Sequence, residues 1–477
     1  MKSSPQRPTG TRMPVILGRC ARSAGVLVVL LVACASPLAQ FEGGIRDDVA
    51  RGRDFNQKNE EGQTLLHRIA MRSHEVVMDT ARVRILLEAG ADPQLPDPEG
   101  NTPLHLLDYG SSVVSDRIKG AQVALAAALL EAGADPNARN HEEETPLHRT
   151  PNPGVALLLL EAGADPNAQD NAGETPLHQW SWLGAEVTAA LLAAGADPNV
   201  RNSAGEAPLH EAAGVFGYST NYIDDTRVAD PQARLLLLAG AEVNAADTLG
   251  RTPLHRAVRV ESPVHRVLLA GGADPNARDT NGRTPLHEYA SRYNRPNLVP
   301  DAFLDPLLAA GADVNAPDRL GRSPLHLARN LERIRVLLDG GANPAPTDSS
   351  GATPLHLPWW SDPDQIGALA GRGVDVNARD HAGRTPLHLA AALMNETRMT
   401  ALLDRGAYAT ARDTLGATPL HYLVRESGPD TGTSAADILL RAGADPNARD
   451  DSGRTPLDYI EHRAPLWWRL NDLRGRG

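Results

Sequence analysis

One tetrapeptide, Thr-Pro-Leu-His, constrains this chain more than any other feature. It stands at Thr102–His105, Thr145–His148, Thr175–His178, Thr252–His255, Thr284–His287, Thr353–His356, Thr385–His388 and Thr418–His421. Near copies are Thr64-Leu65-Leu66-His67, Ala207–His210, Ser323–His326 and Thr455-Pro456-Leu457-Asp458. The commonest step between the twelve copies is 32 residues and the shortest is 30. A second string falls between them: Leu129-Leu130-Glu131-Ala132-Gly133-Ala134-Asp135-Pro136-Asn137, and again at Leu159–Asn167, Leu191–Asn199, Leu268–Asn276 and Leu439–Asn447. Self-similarity at such a period predicts an array of small units, none of which buries its apolar face alone.

The letters have physical roles. Thr ahead of Pro suits a helix N-cap, and Pro in the first helical position gives up only an N–H that has no partner. Gly133, Gly163 and Gly195 follow a Leu-Leu pair, where a helix ends on a residue tolerant of positive φ. Asp-Pro-Asn then turns the chain, and Gly173, Gly282 or Gly383 closes a hairpin-like finger. Each unit reads as helix, turn, helix, finger. Stacked at about 10 Å per layer, twelve units would extend roughly 110 Å.

Together the two strings resemble the ankyrin repeat, whose period and Thr-Pro-Leu-His signature they share. The resemblance covers about residues 45–465 and implies an all-α solenoid with β-hairpin-like fingers. It sets a capping half-repeat at 45–62, repeats over 63–454, and a capping repeat with tail at 455–477. Trp467 and Trp468 are expected to cover the last exposed leucine face.

Composition agrees with an array and excludes other classes. The 477 residues include 47 Lys+Arg against 59 Asp+Glu, a formal charge of −12. That balance argues against a general nucleic-acid binder, which needs clustered cations. The two cysteines are Cys20 and Cys34, so the body from Ala35 onward holds no disulfide, zinc–thiolate site or thiol nucleophile.

The first residues read as an address. Residues 1–33 carry Lys2, Arg7, Arg12, Arg19 and Arg22 and no acid, then the apolar run from Ala24 to Ala33. The run is too short to span a bilayer and has the length of a signal-peptide core. Leu31-Val32-Ala33-Cys34 resembles the lipobox of bacterial lipoproteins, which implies a signal peptide over 1–33, lipidation at Cys34 and a short linker over 34–44. Ala35 after that cysteine implies the periplasmic face of the outer membrane. An ordinary secretory signal cut after Ala35 or Ala39 is the alternative, and translation from Met13 would leave a leader of more usual length.

Catalytic signatures are absent from the sequence. Eleven of the sixteen histidines lie in the tetrapeptide. Copies about 10 Å apart cannot share an ion that needs ligands within about 2 Å, so the resemblance assigns them a structural hydrogen-bonding role. No Gly-x-Ser-x-Gly or Walker loop occurs, and the acidic run Glu142–Glu144 reads as a solvated loop. The chain is therefore expected to be a non-enzyme without cofactor or metal. It is expected to be a monomer that binds a protein partner, no nucleic acid, and membrane only through its lipid. An inhibitor or immunity-type protein is one specific form; a secreted effector acting on a host protein is the alternative.

In ankyrin proteins the fingers and first helices line a concave partner-binding face. The residue before each Thr is expected to be exposed there. It is Glu144, Glu174 and Glu206 in the third to fifth copies, then mostly arginine: Arg251, Arg283, Arg322 and Arg384. Read outward, this makes a groove of two polarities. Tyr109, Trp182 and Trp360, four residues beyond the tetrapeptide His, are expected on the exposed side of the first helix as anchors, with Trp180 and Trp359 inward. Five longer connections, Arg72–Thr80, Gly110–Gly120, Gly214–Pro231, Arg292–Pro300 and Glu426–Ser434, are further binding elements or tolerated insertions.

Overall fold

The computed structural model describes residues 44, 47–48, 50–71, 80–107, 116–179, 184–214, 226–291, 301–426, 431–460 and 465–474. Within them, twelve helix pairs follow one another, each opened by a copy of the tetrapeptide. The first pair is Leu65–Met71 with Thr80–Glu88, and the last is Pro456–Tyr459 with Pro465–Arg474. First helices pack on first helices, as Pro386–Ala392 does on Pro419–Glu426. Second helices pack on second helices, as Glu396–Leu403 does on Thr433–Arg441. The fold is an all-α solenoid.

A leucine lattice makes the core. The tetrapeptide leucines, from Leu66 to Leu457, are all buried, and so is the first leucine of the second-helix pair (Leu129, Leu159, Leu191, Leu268, Leu439). The second of that pair, as at Leu130 and Leu269, is only half-buried. Each fully buried leucine contributes roughly 1.5–3 kcal/mol. At the far end Leu466 and Leu470 close the lattice, while Trp467 packs half-buried beside them; the Trp468 side chain lies outside the described residues.

First helices differ in length for a local reason. Pro253–Val260 has 8 residues, but Pro146–Arg149 has 4 and Pro354–His356 is a single 3-10 turn. Thr150 and Leu357 precede prolines and adopt extended backbone (ψ 115° and 144°). A following proline ring crowds the helical conformation of the residue before it, so the helix stops there. Most of each long connection except Glu426–Ser434 lies outside the described residues.

Candidate partner-binding surface

Three hydrogen-bonded ladders run along the array and decide which side chains are left for a partner. The first is made by the tetrapeptide. Thr102 N–H donates to His105 Nδ1 (3.1 Å) with the Thr102 hydroxyl beside it (3.0 Å), and the ring's Nε2 reaches the Glu144 carbonyl of the next finger (3.1 Å). An Nδ1 that accepts requires an Nε2 that donates, so the ring is neutral. The same pair of bonds recurs at all eleven histidines, from His67 to Asn101 O (2.9 Å) through His421 to Arg454 O (3.2 Å). Ala207 shows that the hydroxyl is dispensable, because its N–H still donates to His210 Nδ1 (3.1 Å). At Thr455 the partner is Asp458 (2.7 Å), where no finger follows among the described residues and a second ring nitrogen has nothing to bind. Burial lowers the pKa of every one of these rings, to about 4 at His105, His287 and His388.

The second ladder uses the Asn of Asp-Pro-Asn, which does more than turn the chain. Asn137 Nδ2 donates to Gly163 O (2.9 Å), and its Oδ1 accepts from Asp165 N–H (2.8 Å) in the next unit. Asn167, Asn199 and Asn276 repeat the bridge, and so does Asn377, which stands in Asp-Val-Asn. The third ladder joins the fingers. His141 N–H donates to Glu99 O (2.9 Å), Thr280 to Leu249 O (2.8 Å), and the series continues to Asp451 on Leu415 O (3.0 Å). Each finger turns on a residue of positive φ. At Gly383 (φ +74°) a Cβ would also lie 2.8 Å from Thr414 N, so no side chain fits. Pro98, having no N–H, cannot extend this ladder to the first finger.

The same architecture emerges from comparison. A family model for ankyrin repeats matches residues 117–202, 229–300 and 361–450, just over half of the chain. The chain belongs to the ankyrin-repeat family. It is also 52% identical over 58 residues to human neurogenic locus notch homolog protein 4, a match that covers 12% of this chain and 3% of that protein. Ankyrin repeats mediate protein–protein contacts, and the family is typically a non-enzymatic interaction scaffold. No group of His, Cys, Asp and Glu among the described residues is arranged to hold a metal ion.

This ankyrin array corrects the expected polarity of the groove. Glu144, Glu174, Glu206, Arg251, Arg283, Arg322 and Arg384 are half-buried rather than exposed, because each carbonyl takes a histidine and each side chain lies on its own finger, its own first helix or the next unit. The arginines are matched by Asp four residues earlier: Arg251–Asp247 (2.7 Å), Arg322–Asp318 (2.8 Å) and Arg384–Asp380 (2.7 Å). Arg283 instead faces Asp318 of the next finger (4.0 Å). Where the finger ends in Glu, the earlier residue is Asn140, Asp170 or Asn202. Asn140 donates to Glu144 (2.8 Å), and Arg149 pairs with it as well (2.6 Å). These two outweigh the cost of burial and hold Glu144 below the usual carboxylate range. Glu206 is likewise lowered, against burial, chiefly by Arg256 at 2.6 Å. Glu174 is the exception: burial and then the charge of Asp170 push it up. The sign change is thus mostly neutralised within the array, for Arg251, Arg322 and Arg384 inside their own finger and for Glu144, Glu206 and Arg283 by an adjoining helix or finger.

The aromatic expectation is also corrected. Trp360 is fully buried and Trp359 is half-buried, because the helix ends at His356 and the helical register that would have turned Trp360 outward is lost. Trp359 Nε1 donates to His326 O (3.0 Å), and the Arg329 guanidinium lies 5.3 Å from its ring centroid. Tyr109, Trp182 and Cys34 lie outside the described residues. Sequence reasoning missed the fingertip itself, two residues before the position it followed. There Glu99, Glu142, Leu249, Leu320 and Leu415 are exposed, and a count made from the finger glycine would have found them.

Proposed function

We propose that the protein is a non-enzymatic scaffold of the bacterial cell envelope, which binds a protein partner through the concave face and fingers of its ankyrin array. The observation that carries the binding role is the third ladder. It holds the fingers from Glu99 to Asp451 in one continuous row whose tips vary freely while the bonds beneath them do not. A rigid row loses little freedom on association, which favours affinity. Trp359 with Arg329, together with Tyr109 and Trp182, supplies aromatic contacts. The envelope location rests on the basic leader, the apolar run and Leu31-Val32-Ala33-Cys34, with lipid on Cys34 holding the array at the outer membrane. An inhibitor or immunity-type role is a form this scaffold suits.

Two measurements test this. A photo-crosslinking amino acid replacing Arg319, a fingertip residue, should capture one discrete envelope protein. The same group replacing Leu157, exposed on a second helix, should not. Equal capture from both, or none from Arg319, would count against the scaffold. Intact mass with membrane fractionation should find a triacylated Cys34 N-terminus. A free N-terminus at Ser36 or Gln40 in the medium would favour the secreted effector.

A further inference from the structure

Among the described residues, seven large apolar side chains stand exposed, and three of them occupy one register: Leu249 (50% exposed), Leu320 (54%) and Leu415 (65%). All three are fingertips whose carbonyls accept from the next finger, so the backbone beneath them is fixed. Upstream in the same register stand Glu99 and Glu142, both exposed and neither in an ion pair among the described residues, followed by Ala172 and Ala204. From Leu249 to Leu415 the tip dipeptides contain no carboxylate, and Arg319 lies beside Leu320. The ladder therefore presents one strip that is acidic at one end, shallow in the middle, and at the other end leucine alternating with the uncharged Asn281, Ser350 and Ala382 beside one cation.

We infer that this fingertip strip docks a bipolar protein segment, basic at one end and apolar at the other, with its basic end over Glu99 and Glu142 and its apolar end over Leu249 and Leu320. The inference rests on the partner-binding reading above. Complementarity selects the occupant. A second copy laid parallel would set carboxylate on carboxylate, and laid antiparallel would set carboxylate on leucine, so the strip does not fit itself. An anionic membrane would be repelled at the acidic end. Apolar side chains in register on a rigid row are what a partner's own apolar groups can cover at low entropic cost. From Glu142 to Leu320 is five fingers, roughly 50 Å at about 10 Å per layer, a distance spanned by about 15 extended residues.

The test uses the full chain and a synthetic peptide of about 20 residues, long enough for that span. The peptide carries a lysine cluster at one end, leucines at the other, and a benzophenone beside the lysines. Saturable binding that weakens as salt rises, with crosslinks confined to the fingers of Glu99 and Glu142, is expected. Leu249→Ser with Leu320→Ser should lower affinity about tenfold with helicity unchanged, since both side chains are exposed. Glu99→Gln with Glu142→Gln should flatten the salt dependence. Unchanged affinity in both double variants, crosslinks spread evenly along the row, or no saturation by about 1 mM would overturn the inference. Uncharged phosphatidylcholine vesicles bound by the wild type but not by the leucine variant would assign the strip to lipid, which also overturns it. Peptide binding at the tips without capture of any envelope protein from position 319 would leave the strip standing and remove the envelope scaffold. Loss of peptide binding in Trp359→Ala alone would do the reverse.

Discussion

Two fingers of this molecule have nearly the same frame and opposite contents. The third reads Arg139-Asn140-His141-Glu142-Glu143-Glu144, the tenth Arg379-Asp380-His381-Ala382-Gly383-Arg384. In both, the leading arginine donates to a carbonyl of its own finger (Glu143 O, 3.1 Å; Gly383 O, 3.0 Å) and to one of the next (Gln169 O; Arg412 O). In both, the finger's last carbonyl takes a buried histidine, His105 or His356. The contents then diverge as pairs. Glu144 lies on Asn140, and Arg384 lies on Asp380. The comparison teaches that a charge reversal along an array need not be a message to a partner, because its complement can sit four or five residues away, as Asp380 and Arg149 do.

What the fingers share should fail first, in acid. Folding keeps the histidine rings neutral, and their folded pKa values lie below 6.5. The unfolded chain therefore binds more protons below that pH, and stability, complete above about 6.5, is lost progressively as pH falls toward about 4. Urea unfolding across this range should show a midpoint that drops steeply with acid, with linkage of several protons. A flat profile would mean the rings are not held as described.

The next largest effect concerns the finger turn. Gly383→Ala combines a positive φ with a 2.8 Å approach to Thr414 N, and should destabilise by about 2 kcal/mol or more in thermal unfolding. A smaller effect sharpens the pairing argument. Arg384→Glu sets two carboxylates together at the buried Asp380 and should cost about 1–2 kcal/mol. Adding Asp380→Asn, which supplies the amide that Glu144 uses in the third finger but not its Arg149, should restore part of that loss. If the single reversal is silent, the finger charges are not neutralised locally. The smallest change runs the other way. Glu143 holds φ +60° where other fingers have glycine, so Glu143→Gly should stabilise by about 1 kcal/mol, read as a higher Tm.

Most of the fold was legible because the repeat is covalent information. The spacing of Thr-Pro-Leu-His gave twelve units, the Leu-Leu-x-Ala-Gly string gave the second helix and its end, and the distance between copies assigned His105 and its equivalents to structure rather than metal. The binding surface was less legible. Following the residue before Thr led to Glu144 and Arg384, which the fingers keep half-buried. Placing Trp360 outward assumed a helix that Pro358 ends.

The sequence by itself determined the number of units and their order of helix, turn and finger, since both follow from local spacing. Only the tertiary structure decided what faces outward. It buried Arg398 wholly, with Nη2 on the Leu355 carbonyl (2.6 Å) and burial lowering its pKa to about 10, although nothing in its local sequence marks it as interior. It likewise chose Trp359 over Trp360. The physical reason is that exposure in an array is set by the neighbouring unit. A side chain's own period says which face it occupies, and only the stacking of the next finger says whether that face is covered.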